Sequence, residues 1–241
     1  NVPAVWLLDK IGVSKGVQSV ENFGIHVNKS DQNLALALGG LSTGVSPMQM
    51  ARAYSAFANE GNLPNQSYCI TKITDASGNV IAQNKNPGSH RIISTNTAKE
   101  MTSMLLGVFP SGSGRSAQPA NFRVAGKTGS TEVPDSYGFG TKDQWIVGYT
   151  PDVVLSTWVG FDKTDQNHYM EGISETGITH LYKSELERLL PYTSQTQFKE
   201  KSAQQISQDT GANSDWLGNI GKQVQKGIND TASKFNEWYN N

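Results

Sequence analysis

An α+β fold is what the order of apolar patterns along this chain predicts. Helical spacing dominates the first half, three consecutive β-type segments follow, and one more helical stretch runs up to a proline. Helices grouped around an antiparallel meander bury all of these faces in one core. A chain of 241 residues is long enough for such a core.

The elements justify themselves in order. Val5, Leu8, Ile11 and Val13 recur near helical spacing after Pro3, with Gly12 as punctuation, and Val17 to Phe23 makes a second short helical turn. The clearest helix runs from Ser46 to Glu60, with Ser46 at the N-cap, Pro47 at the first helical position and Gly61 just past the end. Its Met50, Tyr54 and Phe57 share a face that needs burial. Ile70–Ile73 and Val80–Gln83 flank Asp75-Ala76-Ser77-Gly78-Asn79, a hairpin with turn chemistry at its centre. A helix over about Thr97–Val108 carries Ala98, Met101, Leu105 and Val108 along one side.

Then the period changes. Phe122–Lys127, Gln144–Tyr149 and Val153–Phe161 read as three strands, the last two joined by Thr150-Pro151-Asp152. A final helix, about Thr176–Leu190, places Ile178, Tyr182, Leu186 and Leu189 at helical spacing and stops at Pro191. The domain is therefore expected to span residues 1–191. Residues 192–241 are expected to be a polar linker, rich in Gln, Ser, Thr and Lys, followed by an amphipathic tail from Trp216 to Trp238. Deleting the stretch from about residue 193 is expected to leave the activity of the complete domain nearly unchanged.

Composition narrows the function. A net charge of −1 lacks the basic footprint of a nucleic-acid binder. No apolar run reaches the ~18 residues of a membrane span, and the N-terminus lacks the basic start and apolar core of a signal peptide. The lone Cys69 excludes an internal disulfide, and His26, His90, His168 and His180 show no metal-ligand spacing, so neither metal nor cofactor is expected.

The chemistry-bearing stretch is Arg123–Thr131, RVAGKTGST. A small apolar lead-in ends at Gly126, then Lys127 brings a cation, Thr128 and Ser130 bring hydroxyls, and Gly129 removes a side-chain wall. That set suits a carboxylate and a carbonyl lying along a strand edge. On the strand boundaries above, K-T-G closes the first strand of the sheet.

K-T-G in this setting, with several further stretches, resembles the C-terminal part of the transpeptidase domain of class A (bifunctional) penicillin-binding proteins. The matching segments are Asn1–Val5, Ala37–Pro47, Ala53-Tyr54 with Ala56–Gly61, Gly126–Thr131, Asp143–Pro151 and Trp158–Asp162, in the family's order. K-T-G is one of that group's marks, beside S-x-x-K and S-x-N. The resemblance implies a penicillin-binding/serine β-lactamase-like transpeptidase fold, an antiparallel sheet covered by helices, of which this chain supplies part. It implies a D,D-transpeptidase that cross-links peptidoglycan stem peptides through a serine acyl-enzyme and is acylated by β-lactams. A β-lactamase or a non-catalytic β-lactam sensor of the same fold is the alternative.

Two departures shape the expectation. No serine is followed three places later by lysine, so the nucleophile and its lysine are expected on an upstream piece. S-x-N occurs only as Ser77-Gly78-Asn79 and Ser94-Thr95-Asn96, read as a turn and a helix cap. In class A proteins S-x-N runs into a segment like N-V-P-A-V, so Asn1 resembles the last residue of that motif and the chain the downstream piece of a nicked protein. The upstream fragment is then a partner. It would carry the glycosyltransferase domain and a membrane anchor that holds the protein on the extracytoplasmic face. By resemblance, Lys127 supplies positive potential and a proton relay, Thr128, Ser130 and Thr131 bind the terminal carboxylate, and Gly129 keeps the edge open. The backbone N–H of Ser130 is an oxyanion donor, and Asn1 holds the donor peptide.

Overall fold

The structure, a computed structural model, describes residues 1–85, 87–171 and 175–209. The tail read as an amphipathic helix, Trp216 to Trp238, lies outside them. The described residues divide into two compact units, residues 1–46 with 204–209, and residues 47–203.

In the first unit, α1 (Val2–Ile11) and α2 (Val13–Asn22) meet at Gly12, whose φ of 93° lets the chain turn between them. Leu8, Val17 and Val27 are its buried apolar residues. Buried Asp31 ties the following loop, accepting from the backbone N–H of Ser42 at 3.0 Å and from its hydroxyl at 2.9 Å. The Ser42 backbone bond holds that carboxyl below its ordinary value.

The second unit opens with α3 (Pro47–Ala58), which stops where Gly61, at φ 95°, sends its N–H back to Ala56. Short strands β1 (Asn62–Pro64), β2 (Lys72–Thr74), β3 (Val80–Gln83) and β4 (Ser89–Arg91) follow, paired β1 with β4 and β2 with β3. The β2–β3 hairpin matches expectation, its turn held by Asp75 Oδ1, which accepts from Ser77 and Asn79 N–H. The helix expected to run to Val108 breaks earlier, giving α4 (Thr95–Leu105) and a single turn, α5 (Val108–Ser111), on either side of Gly107.

The sheet is antiparallel in the order β5 (Ala125–Glu132), β6 (Thr141–Tyr149), β7 (Val154–Gly160), and α6 (Glu175–Leu189) completes the unit. One face carries Ala125 and Tyr149, packed with Leu105, Leu106, Tyr54 and Phe57 from α3, α4 and the residue after α4. On the other face Ile146 packs with Phe109, Val124, Ile178, Tyr182 and Leu186. On this second face Gly126 stands opposite Gly148. A Cβ at Gly148 would lie 2.2 Å from Tyr182 Oη, and one at Gly126 2.2 Å from the Val147 carbonyl oxygen. The glycine pair thus opens the space that the stacked rings of Phe109 and Tyr182 fill, their centroids 5.8 Å apart.

Two expectations need correction. The first strand does not end at Lys127: it runs to Glu132 and holds K-T-G in its interior. Its outer half is polar because it is exposed, so the apolar alternation used to find strands stops before the strand does. Nor is the stretch after Pro191 a linker over its first part. Phe198 packs edge-on against Tyr149, with centroids 5.7 Å apart, and the Arg123 guanidinium donates to the Glu200 carbonyl at 2.7 Å. Thr196 donates to Asp152 from both its N–H and its hydroxyl, each at 2.7 Å. Composition hid this because one aromatic among polar residues carries the anchoring.

Candidate active site

β5 has β6 as its strand neighbour on one side only, which makes it an edge among the described residues. The register sets Lys127 opposite Val147, Thr128 opposite Ile146, Gly129 opposite Trp145 and Ser130 opposite Gln144. Side chains alternate along a strand, so Lys127 belongs to the Tyr149 face and Thr128 and Ser130 to the Ile146 face. A ligand lying along this edge is reached by the cation from one face and by the hydroxyls from the other.

Lys127 is exposed and donates to the Thr128 carbonyl at 2.8 Å, which folds the ammonium back over the strand. No carboxylate pairs with it among the described residues, so its charge is unspent. Thr128 is half-buried, and its hydroxyl is 2.5 Å from that of Ser113. Ser130 and Thr131 are exposed, and the register shifts between Thr131 and Glu132, an irregularity that ends regular pairing. Gly129 differs from Gly126 and Gly148: a Cβ there would meet only Trp145 Cβ, at an ordinary 3.5 Å. Packing within the chain does not require glycine at that position.

The structure therefore brings Lys127, Thr128, Gly129, Ser130 and Thr131 together on one exposed edge. Asn1 belongs to the other unit, where it is the exposed N-cap of α1, its carbonyl accepting from Ala4 and Val5. Ser77 lies in the β2–β3 turn, and Ser94 caps α4 through the Thr97 N–H at 3.0 Å. Ser113 was not foreseen. Its only trace in the sequence is a hydroxyl between two glycines, Gly112-Ser113-Gly114, within a turn-rich stretch.

Residues 5–180 match the penicillin-binding protein transpeptidase domain model. The chain belongs to that family. It is 45% identical over 204 residues to penicillin-binding protein 2a of Streptococcus pneumoniae, covering 84% of this chain and 27% of that protein. It is 43% identical over 183 residues to penicillin-binding protein 1F of Bacillus subtilis, covering 76% and 25%. The chain thus spans about a quarter of the length of these relatives. Among solved structures, PonA1 of Mycobacterium tuberculosis, determined in complex with penicillin V, superposes with a TM-score of 0.55 at 26% identity, over 70% of this chain and 44% of that one. The D,D-transpeptidase domain of a peptidoglycan glycosyltransferase from Eggerthella lenta shares the fold, with a TM-score of 0.58 at 24% identity over 77% and 50%. The transpeptidase fold inferred from the sequence is thus the one observed, and K-T-G sits on its open sheet edge.

Proposed function

We propose that this chain supplies the K-T-G side of a D,D-transpeptidase site that cross-links peptidoglycan stem peptides and is acylated by β-lactams. The observation that carries the reading is the exposed edge strand itself. It presents a lysine that no carboxylate pairs among the described residues, hydroxyls on the opposite face and a glycine that packing does not require. A requirement from outside the chain, a substrate laid along the edge as an added strand, accounts for that glycine.

In the proposed reaction a serine hydroxyl adds to the carbonyl between two D-alanines, its proton passing to a base, and the terminal D-alanine leaves as the amine. An amine of a second stem peptide then attacks the acyl-enzyme, releasing the serine and forming the cross-link. Lys127 provides positive potential for the terminal carboxylate and steadies the relay serine. Thr128, Ser130 and Thr131 donate hydroxyl hydrogen bonds to that carboxylate. The Ser130 N–H faces the developing oxyanion, a donor whose loss typically costs ~3–4 kcal/mol of barrier. Asn1, as the last residue of S-x-N, holds the donor peptide.

The nucleophile and its lysine are assigned to a preceding segment, because no serine here has lysine three places later. An N-terminal anchor on that segment would hold the site at the extracytoplasmic face, where peptidoglycan lies. Among the described residues no helix is long and apolar enough to cross a membrane. Residues 1–191 are taken as the transpeptidase portion, with the docked residues up to Ala203 as its strap.

Fluorescent penicillin tests the reading. Residues 1–241 alone are expected to take no covalent label, and the full-length protein to take one label per chain upstream of Asn1. Lys127→Ala in the full-length protein is expected to slow acylation by orders of magnitude while stability changes by less than ~1 kcal/mol, as for exposed positions. Label on the isolated chain, or normal acylation of the variant, contradicts the assignment.

A further inference from the structure

Among the described residues, the hydroxyl of Ser113 is the one side-chain partner of the K-T-G threonine, and the loop holding it is built to keep it there. Gly112 and Gly114 both donate their N–H to the Val108 carbonyl, at 3.0 and 3.2 Å. Neither glycine tolerates a side chain easily: a Cβ at Gly112 would lie 2.7 Å from the Val108 oxygen, and one at Gly114 3.3 Å from the ring of fully buried Phe109. That ring also packs under Gly126 and Gly148, beneath the strand that carries K-T-G. The loop and the strand are thus fixed to the same buried aromatic, and Ser113 alone among the three loop residues offers a functional group.

We propose that Ser113 is a positioning residue for the carboxylate end of the substrate, acting through Thr128; the inference rests on the transpeptidase reading above. A hydroxyl carries one proton and two lone pairs. With Ser113 donating to Thr128 Oγ1, the Thr128 proton is left to donate outward to an anion. The chain Ser113 O–H to Thr128 O–H to carboxylate is polarised in one direction, each bond strengthening the next. Without Ser113 the Thr128 hydroxyl rotates freely and donates to water for part of the time. The effect is larger for a ligand bearing a negative charge at that point, because a carboxylate makes a charge-assisted bond to the Thr128 hydroxyl that a neutral ester carbonyl does not.

The test uses the full-length protein and two probes, benzylpenicillin and its methyl ester, with second-order acylation rates measured for each. Ser113→Ala is expected to slow the free acid at least tenfold more than the ester, and Ser113→Thr, which restores a hydroxyl, to regain most of that loss. In a Thr128→Val background the same Ser113→Ala change is expected to cost less than threefold, since its target is gone. Equal slowing of acid and ester, or an undiminished cost in the Thr128→Val background, overturns the inference and leaves the transpeptidase reading intact. A wild-type protein that benzylpenicillin does not acylate overturns both.

Discussion

Two glycines of the β5–β6 pair, Gly148 on β6 and Gly129 on β5, serve opposite ends, and substitution separates them. Gly148→Ala, across from Gly126, drives a methyl to within 2.2 Å of Tyr182 Oη and 3.1 Å of Phe109 Cζ, in a core with no room to give. Overpacking of that kind costs ~1–3 kcal/mol, so its urea midpoint is expected to fall well below wild type. Gly129→Ala meets only an ordinary 3.5 Å contact and is expected to unfold with the wild-type midpoint. In the full-length protein it is expected to acylate at least tenfold more slowly, because the methyl would stand where substrate is proposed to lie. A Gly129→Ala protein that acylates normally removes the reason given for that glycine. The sequence pointed to Gly129 through its place in K-T-G, but nothing in it distinguished the packing glycines, since that requires knowing that Gly126 faces Gly148.

At the scale of elements, the segment after α6 behaves as a strap. Removing residues from Thr193 onward strips the Phe198 ring from Tyr149 and leaves Asp152 and the Arg123 guanidinium without Thr196 and the Glu200 carbonyl. The expected loss is about 2–3 kcal/mol, below the range for a fully buried phenylalanine because Phe198 is partly exposed. Phe198→Ala alone is expected to reproduce most of it in a denaturant titration; a truncated protein as stable as wild type shows the strap to be idle. Helices α3 and α6 and the strands β6 and β7 were legible from the sequence because each buries a continuous apolar face. The outer half of β5 and the strap were not. Their residues are polar, and they are held by backbone pairing and by a few long-range contacts that leave no period in the sequence. The candidate site was legible as a tripeptide motif; its partner Ser113, fifteen residues away from Thr128 in the chain, was not.

Across the molecule, phenols packed in the core, half-buried Tyr54 and buried Tyr149 and Tyr182, set the alkaline limit. Burial pushes Tyr54 from 10.0 up to about 12, and pushes Tyr149 and Tyr182 up further. Thr102 spends its one proton on the Ala98 carbonyl at 2.8 Å, so Tyr149 is the donor in their 2.8 Å bond and loses it on ionising. These groups bind their protons more tightly in the folded state. Their contribution is therefore complete below the unfolded value of 10.0 and is lost as pH rises toward about 12. The melting temperature is expected to decline over that window, with tyrosinate absorbance rising in step with unfolding, and Tyr54→Phe is expected to make the decline shallower. Absorbance that develops fully before the fold is lost shows the phenols to be open to solvent.

The open side of β5 has one more consequence. A strand edge left open among the described residues, proposed above to take a peptide substrate, would also take the same strand from a second molecule, and long uncharged edges are where sheet proteins join into aggregates. Lys127 stands on that edge, and two such strands paired antiparallel in register about it would bring their ammonium groups close together. The same charge that is proposed to draw in a carboxylate therefore keeps neighbouring molecules apart. A protein stripped of it is expected to remain monomeric only when dilute.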